Sequence, residues 1–359
     1  MALTFTMISK FRSFTLFFFA LSLADGLCAA WYDPFGWFTS REEEILNLRP
    51  ATLEEEQEAA RLYEDGLAAL EVGKEGRAKG LFEKIADDYQ RTIPAPDALM
   101  QIARIHMSRS KWHEAFEMTR ITLIRYPDYE GFNDIVATQF EIATSLMDGA
   151  RGRIFGIIPT FKSTRKARDY FEGVLRNGPF TEYAPLALMN IAKISVERDE
   201  PEFAIDALDR LINIYPDSTL AADAYLELAR TYASLVDGTA YDQGATREAI
   251  SYYEDFLILF PASSLVPEAE AGLSYMREIF AASKYNTGDF YFRFRKNTTA
   301  ALAFYNEAIT VGPNTHAANL ARERIESIEA GARPPRFDMG MDSVWQNIRG
   351  GDGLPGSVE

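Results

Sequence analysis

The chain has 359 residues, 47% of them hydrophobic and 25% charged, with a formal net charge of −16 and a single cysteine. That apolar content supports a continuous folded core, and the acidic balance lacks the basic face that nucleic-acid phosphates require. It also argues against broad adhesion to anionic lipid, and one cysteine can close no intrachain disulfide.

In chain order, the first feature is an export signal. Lys10 and Arg12 precede an apolar run, 13–24, that is closed by Asp25. The run is too short to span a bilayer, which takes about 20 residues, and suits the core of a signal peptide. Met7 offers an alternative start with a tidier basic leader, and Cys28-Ala29-Ala30 forms a small-x-small cleavage site before Trp31. Cys28 also stands where an acylated cysteine would begin a lipoprotein, although Asp25-Gly26-Leu27 nearly reverses the usual order of residues before such a cysteine. Simple cleavage and lipidation both remain open, and either places the mature chain outside the cytoplasm. Residues 1–30 are read as signal peptide and 31–53 as an aromatic and acidic segment. There Trp31, Phe35, Trp37 and Phe38 are expected to cap the first helical hairpin.

A ladder comes next. Alanine and proline stand twelve residues apart at Ala115/Pro127, Ala167/Pro179, Ala204/Pro216, Ala249/Pro261 and Ala301/Pro313, with a degenerate copy from Ala78 to Gln90. Between these ends the apolar residues fall at helical spacing, as in Ala204, Leu208, Leu211, Ile212 and Tyr215. The proline stops a helix, and the alanine lets two helices cross closely. Small residues upstream (Gly66, Ala103, Ala143, Ala192, Ala229) mark a partner helix in each copy. This is the pattern of the tetratricopeptide repeat, a helical hairpin of about 34 residues. The predicted fold is an all-α, right-handed solenoid of about six helical hairpins over 54–328. Its sixth copy opens with a long helix over roughly 266–292. Beyond it, 329–359 is rich in glycine and proline and reads as a disordered tail, with one apolar spot at Val344-Trp345.

Two copies are stretched, by inserts within 148–164 and 237–245. The first insert is the chemical anomaly of the chain. Arg151, Arg153, Lys162, Arg165, Lys166 and Arg168 give six cations with no acid between Asp148 and Asp169, interleaved with Ile154, Phe155, Ile157, Ile158 and Phe161. Such a loop suits an acidic, partly apolar partner surface or a membrane interface. It equally suits a loop folded back onto the solenoid, and both readings stand. A second spot is Phe290-Tyr291-Phe292-Arg293-Phe294-Arg295, from whose neighbourhood Tyr285 and Arg295 are expected to reach solvent. The candidate partner-binding residues are therefore Arg151, Arg153, Ile154, Phe155, Phe161, Lys162, Tyr285 and Arg295, with Cys28 as the lipidation candidate.

Signatures of catalysis are missing. His106 and His113 stand seven apart, not at the i, i+4 spacing of a helical metal site, and His316 is remote from both. Gly73-Lys74 lacks the upstream glycine of a phosphate-binding loop, and Gly149-Ala150-Arg151-Gly152 follows no strand. The runs Glu42–Glu44 and Glu54–Glu56 read as first turns of helices, where negative charge suits the dipole. The expectation is a binding protein with no catalytic residue, metal, cofactor or small-molecule substrate.

Over 221–328 the residues also carry a resemblance. Asp242-Gln243 precedes Ala249-Ile250-Ser251-Tyr252-Tyr253-Glu254-Asp255-Phe256 and Leu259-Phe260-Pro261, followed by a long helix, Gly288-Asp289-Phe290-Tyr291 and Ala300-Ala301. In that order the chain resembles the BamD (YfiO) family of outer-membrane β-barrel assembly factors. The resemblance implies a non-catalytic periplasmic scaffold at the inner face of the outer membrane. Such a scaffold docks on the barrel-forming core protein, receives unfolded barrel precursors and touches the membrane peripherally. The competing expectation is a periplasmic repeat adaptor for division or peptidoglycan machinery. Those adaptors usually carry a coiled coil ahead of the repeats, for which 31–53 is too short.

Overall fold

A computed structural model describes residues 50–149, 153–154, 158–159, 164–239 and 243–334. The chain divides into two compact units, 1–163 and 164–359. The first unit holds α1 (Leu53–Glu71), α2 (Glu75–Asp88), α3 (Pro94–Ser108), α4 (Trp112–Arg125) and α5 (Phe132–Met147). The second holds α6 (Thr164–Asn177), α7 (Tyr183–Glu197), α8 (Pro201–Ile214) and α9 (Ala221–Ser234). It continues with α10 (Gly244–Leu259), α11 (Val266–Arg293), α12 (Thr298–Val311) and α13 (His316–Glu329). Within each unit consecutive helices pack on one another. The hairpins α1/α2 and α3/α4 build the first unit, and α7/α8, α9/α10 and α11/α12 build most of the second. The fold is an all-α tetratricopeptide solenoid. One departure lies in the first insert, where β1 (Arg153–Ile154) and β2 (Ile158–Pro159) form a two-residue antiparallel ladder, with Ile154 opposite Ile158.

The alanine ladder is where helices meet. Ala78 and Ala115 in the first unit, and Ala167, Ala204, Ala249 and Ala301 in the second, are all completely buried. A longer side chain at these crossings would hold the helix axes apart. Gly66 shows how little room remains, because a Cβ there would lie 2.6 Å from the Phe82 ring. The large side chains that fill the layers between crossings include Phe82 and Ile85 in one unit and Leu208, Leu211 and Phe256 in the other. Burying each such side chain contributes roughly 1.5–3 kcal/mol.

The prolines end the second helices as their chemistry requires. α4, α8 and α10 stop at Arg125, Ile214 and Leu259, leaving Tyr126, Tyr215 and Phe260 as C-caps immediately before Pro127, Pro216 and Pro261. The tyrosines at this position do a second job. Tyr126 donates its hydroxyl hydrogen to the carbonyl of Gln90 at 2.7 Å, and Tyr215 donates to the carbonyl of Pro179 at 2.7 Å. Gln90 and Pro179 occupy the proline position of the preceding copy, so each tyrosine ties one repeat to the last. Burial pushes the Tyr126 hydroxyl up to about 12 and raises that of Tyr215.

Turns within the hairpins share a form. Lys74 N–H bonds the Ala69 carbonyl, Lys111 N–H the His106 carbonyl and Glu200 N–H the Ser195 carbonyl, each at 2.8–2.9 Å. The residue before each donor is left-handed: Gly73 at φ 71°, Ser110 at 58° and Asp199 at 57°. This is the helix C-terminal motif that glycine favours, and Ser110 and Asp199 occupy it at a steric cost. At the other end, Thr52 and Glu55 form a reciprocal capping box on α1, with Glu54, Glu55 and Glu56 in its first turn.

Candidate partner-binding surfaces

The C-terminal part of α11 separates two faces by helical spacing. Tyr285, Gly288, Asp289 and Phe292 fall at i, i+3, i+4 and i+7 and turn inward. Phe292 is buried, and Tyr285 packs half-buried against Tyr305 with ring centroids 5.6 Å apart. A Cβ on Gly288 would lie 2.8 Å from the Tyr305 ring, so glycine is what allows α11 and α12 to approach. Asp289 is the polar centre of this packing. Its carboxylate accepts from the Tyr305 hydroxyl at 3.1 Å and pairs with Arg293 at 2.7 Å and Arg324 at 3.3 Å. Burial first, and the Asp289 charge next, raise the Tyr305 hydroxyl above its ordinary range.

The opposite face is open. Phe290 and Phe294, four apart, are 45% and 55% exposed and stack on each other at 5.7 Å. The Arg295 guanidinium sits 5.7 Å from the Phe290 ring centroid, and Arg295 and Lys296 are both exposed. Tyr285 lies half-buried on the packed stripe with Phe292, while Arg295 faces solvent. The outward aromatics are Phe290 and Phe294. The signal that finds them is the count of four from Phe290, which the aromatic run weighed as a block conceals.

The first insert contributes less that can be placed. Arg153 and Ile154 form β1; Arg151, Phe155, Phe161 and Lys162 lie outside the described residues, as do Cys28, the 31–49 aromatics and Trp345. The cations at its C-terminal end, on α6, behave differently from one another. Arg168 is structural: its guanidinium pairs with Glu200, which Arg198 also holds at 2.9 Å, and lies 4.2 Å over the Phe203 ring. Arg165 and Lys166 are exposed in the first turn of α6, which holds no acidic residue. Cations there face the positive end of the helix dipole, a placement that costs about 0.3–1 kcal/mol each.

Of the three histidines, His106 is buried on α3, His113 is exposed on α4 and His316 is the first residue of α13. No group of three metal-ligating side chains is assembled among the described residues. No described helix is long and apolar enough to cross a membrane.

These surfaces belong to a repeat protein built of packed helical hairpins. Residues 160–329 match the YfiO family, described as "Outer membrane lipoprotein", and the chain is similar to BamD proteins. The chain is 28% identical over 177 residues to the outer membrane protein assembly factor BamD of Rickettsia prowazekii, covering 49% of this chain and 66% of that one. It is 24% identical over 144 residues to BamD of Caulobacter vibrioides, covering 40% and 47%. The chain thus spans less than two thirds of either relative. Among solved structures it is similar to a thermophilic TPR protein of Thermus thermophilus, with 19% identity, 60% and 98% coverage and a TM-score of 0.28. A tetratricopeptide repeat protein of Parabacteroides merdae gives 14% identity, 74% and 97% coverage and a TM-score of 0.32.

Proposed function

We propose that this protein is a non-catalytic periplasmic scaffold of outer-membrane β-barrel assembly, held at the inner face of the outer membrane. In this reading it docks on the barrel-forming core protein and helps receive unfolded barrel precursors. The observation that carries the reading is the coincidence of the family match, 160–329, with the second compact unit, which begins at residue 164. That unit displays two surfaces that packing does not consume: the Phe290/Phe294 stack with Arg295, and the cations Arg165 and Lys166 at the start of α6. Aromatic and arginine side chains are the residue types that concentrate binding energy at protein interfaces. Cations kept at an unfavourable helix end support a role outside the fold. The basic insert, with Arg151, Arg153, Ile154, Phe155, Phe161 and Lys162, is a separate candidate for partner contact.

Affinity capture from envelope extracts tests the reading. The barrel-forming core protein should co-purify with the wild-type chain. The triple change Arg151→Glu, Arg153→Glu and Lys162→Glu should weaken capture while helicity stays unchanged. Recovery of division or cell-wall enzymes without the core protein would favour the adaptor alternative and overturn the proposal. For Cys28, incorporation of labelled palmitate that is lost in Cys28→Ser would identify a lipid anchor.

A further inference from the structure

The first unit carries a feature that lies outside the family match. Between α2 and α4, over α3, is a cavity of about 270 Å³. Its floor and walls are apolar: Leu99 and Ile102 from α3, Met118 and Ile121 from α4, and Ala86 from α2. One polar side chain interrupts them. His106 lines the same cavity with 9% of its surface exposed, and its Nδ1 atom is shut from solvent with no hydrogen-bond partner among the described residues. Burial chiefly, and Lys79 next, hold its imidazole below the usual histidine range. A buried polar atom without a partner is costly, and its retention in a fold asks for a reason.

The rim carries charge of a definite kind. Lys79 is already paired with Glu83, and Arg125 stands half-buried at the same edge. Asp87 from α2 and Glu114 from α4 also line the cavity, and neither forms an ion pair with a described residue. The balance at the mouth is therefore acidic. An apolar pocket rimmed in this way is complementary to an apolar group that travels with a cation.

We propose that this pocket is a docking site for a partner polypeptide, taking one large apolar side chain flanked by a lysine or arginine. The apolar side chain fills the space between Leu99, Ile102, Met118 and Ile121, and the cation meets Asp87 and Glu114. An N–H or O–H carried in with it supplies a partner for the His106 ring, a rotation about the ring bond bringing either edge of the imidazole to the ligand. The site lies on the face formed by the second helices of the first two hairpins. It is carried by the first unit alone, so it stands or falls separately from the assembly role.

The test uses the full-length chain and three labelled, end-capped peptides: Gly-Lys-Phe-Arg-Gly, Gly-Lys-Ser-Arg-Gly and Gly-Glu-Phe-Glu-Gly. Binding is followed by fluorescence anisotropy, and the His106 ring resonances by NMR. The first peptide should bind and shift the His106 signals, while the other two bind at least about tenfold more weakly. The double change Asp87→Lys and Glu114→Lys alters only the rim, and should lower affinity for the first peptide at least about tenfold with the circular dichroism spectrum unchanged. His106→Leu, which keeps the site apolar, should weaken binding less than rim reversal. Equal binding of all three peptides, or an unshifted His106 at millimolar peptide, would overturn the proposal. Concentration-dependent self-association that disappears in the rim-reversed chain would overturn it in favour of a contact between copies.

Discussion

The two units are made by the same repeat chemistry and differ in where they depart from it. In the first, α1/α2 and α3/α4 are regular hairpins joined by the same turn, and their regularity leaves a pocket between neighbouring second helices. In the second, α11 runs for 28 residues, about 42 Å, and so extends well past a single repeat helix. Its inner stripe is committed to α12 and α13 through Tyr285, Gly288, Asp289 and Phe292, which leaves Phe290 and Phe294 outside. Regular repeats build the frame, and the element that outgrows the repeat carries the displayed surface.

Substitutions can tell whether the units are as alike inside, and as different outside, as this implies. The shared core should respond most. Phe82→Ala in the first unit and Phe256→Ala in the second each empty a fully buried ring site and should cost about 3–5 kcal/mol, read by chemical denaturation. A much smaller loss in one unit would show that its layers are not packed alike. Next is Asp289→Asn, which removes the charge shared by Arg293, Arg324 and Tyr305. Loss of about 1–3 kcal/mol confined to the second unit in hydrogen exchange is expected.

The tyrosine ties between repeats should be weaker and equal. Tyr126→Phe and Tyr215→Phe each leave a carbonyl unpartnered and should cost about 0.5–1.5 kcal/mol. Tyr126 also predicts a pH effect with a definite sign. Its folded-state value is raised from 10 to about 12, so its contribution is complete below pH 10 and is lost as the pH rises through about 12. The alkaline fall in stability should therefore be shallower in Tyr126→Phe. The turns should respond least. Ser110→Gly relieves a left-handed residue and should stabilise the first unit by up to about 1 kcal/mol, whereas Gly73→Ala, at the matching position, should destabilise by a similar amount.

Much of the frame is legible in the sequence because it follows from local rules. A proline must end a helix, a small residue must sit at a close crossing, and both recur at a fixed interval. Thus the burial of all six ladder alanines and the stops before Pro127, Pro216 and Pro261 can be read from spacing alone. The tyrosine ties cannot, because Tyr126 and Gln90 lie 36 residues apart and meet only once two hairpins stack. The His106 pocket escapes for the same reason: its walls come from three helices, and histidine spacing speaks only to metal sites. The outward pair Phe290 and Phe294 is missed because the 3.6-residue period divides the aromatic-rich run into a packed stripe and a displayed pair, a division that the run as a block conceals. The two-residue ladder in the insert is too short to announce itself by alternation.

If the exposed end of α11 is what meets the barrel-forming core protein, contact should be made at Phe294 of the second unit and not at Val72 of the first. A photocrosslinking amino acid placed at Phe294 of that unit, and separately at Val72 of the first, reads this out in intact envelopes, since both positions are exposed. The expected result is an adduct with the core protein from position 294 and none from position 72. An adduct from position 72 alone, or none from position 294, would contradict it.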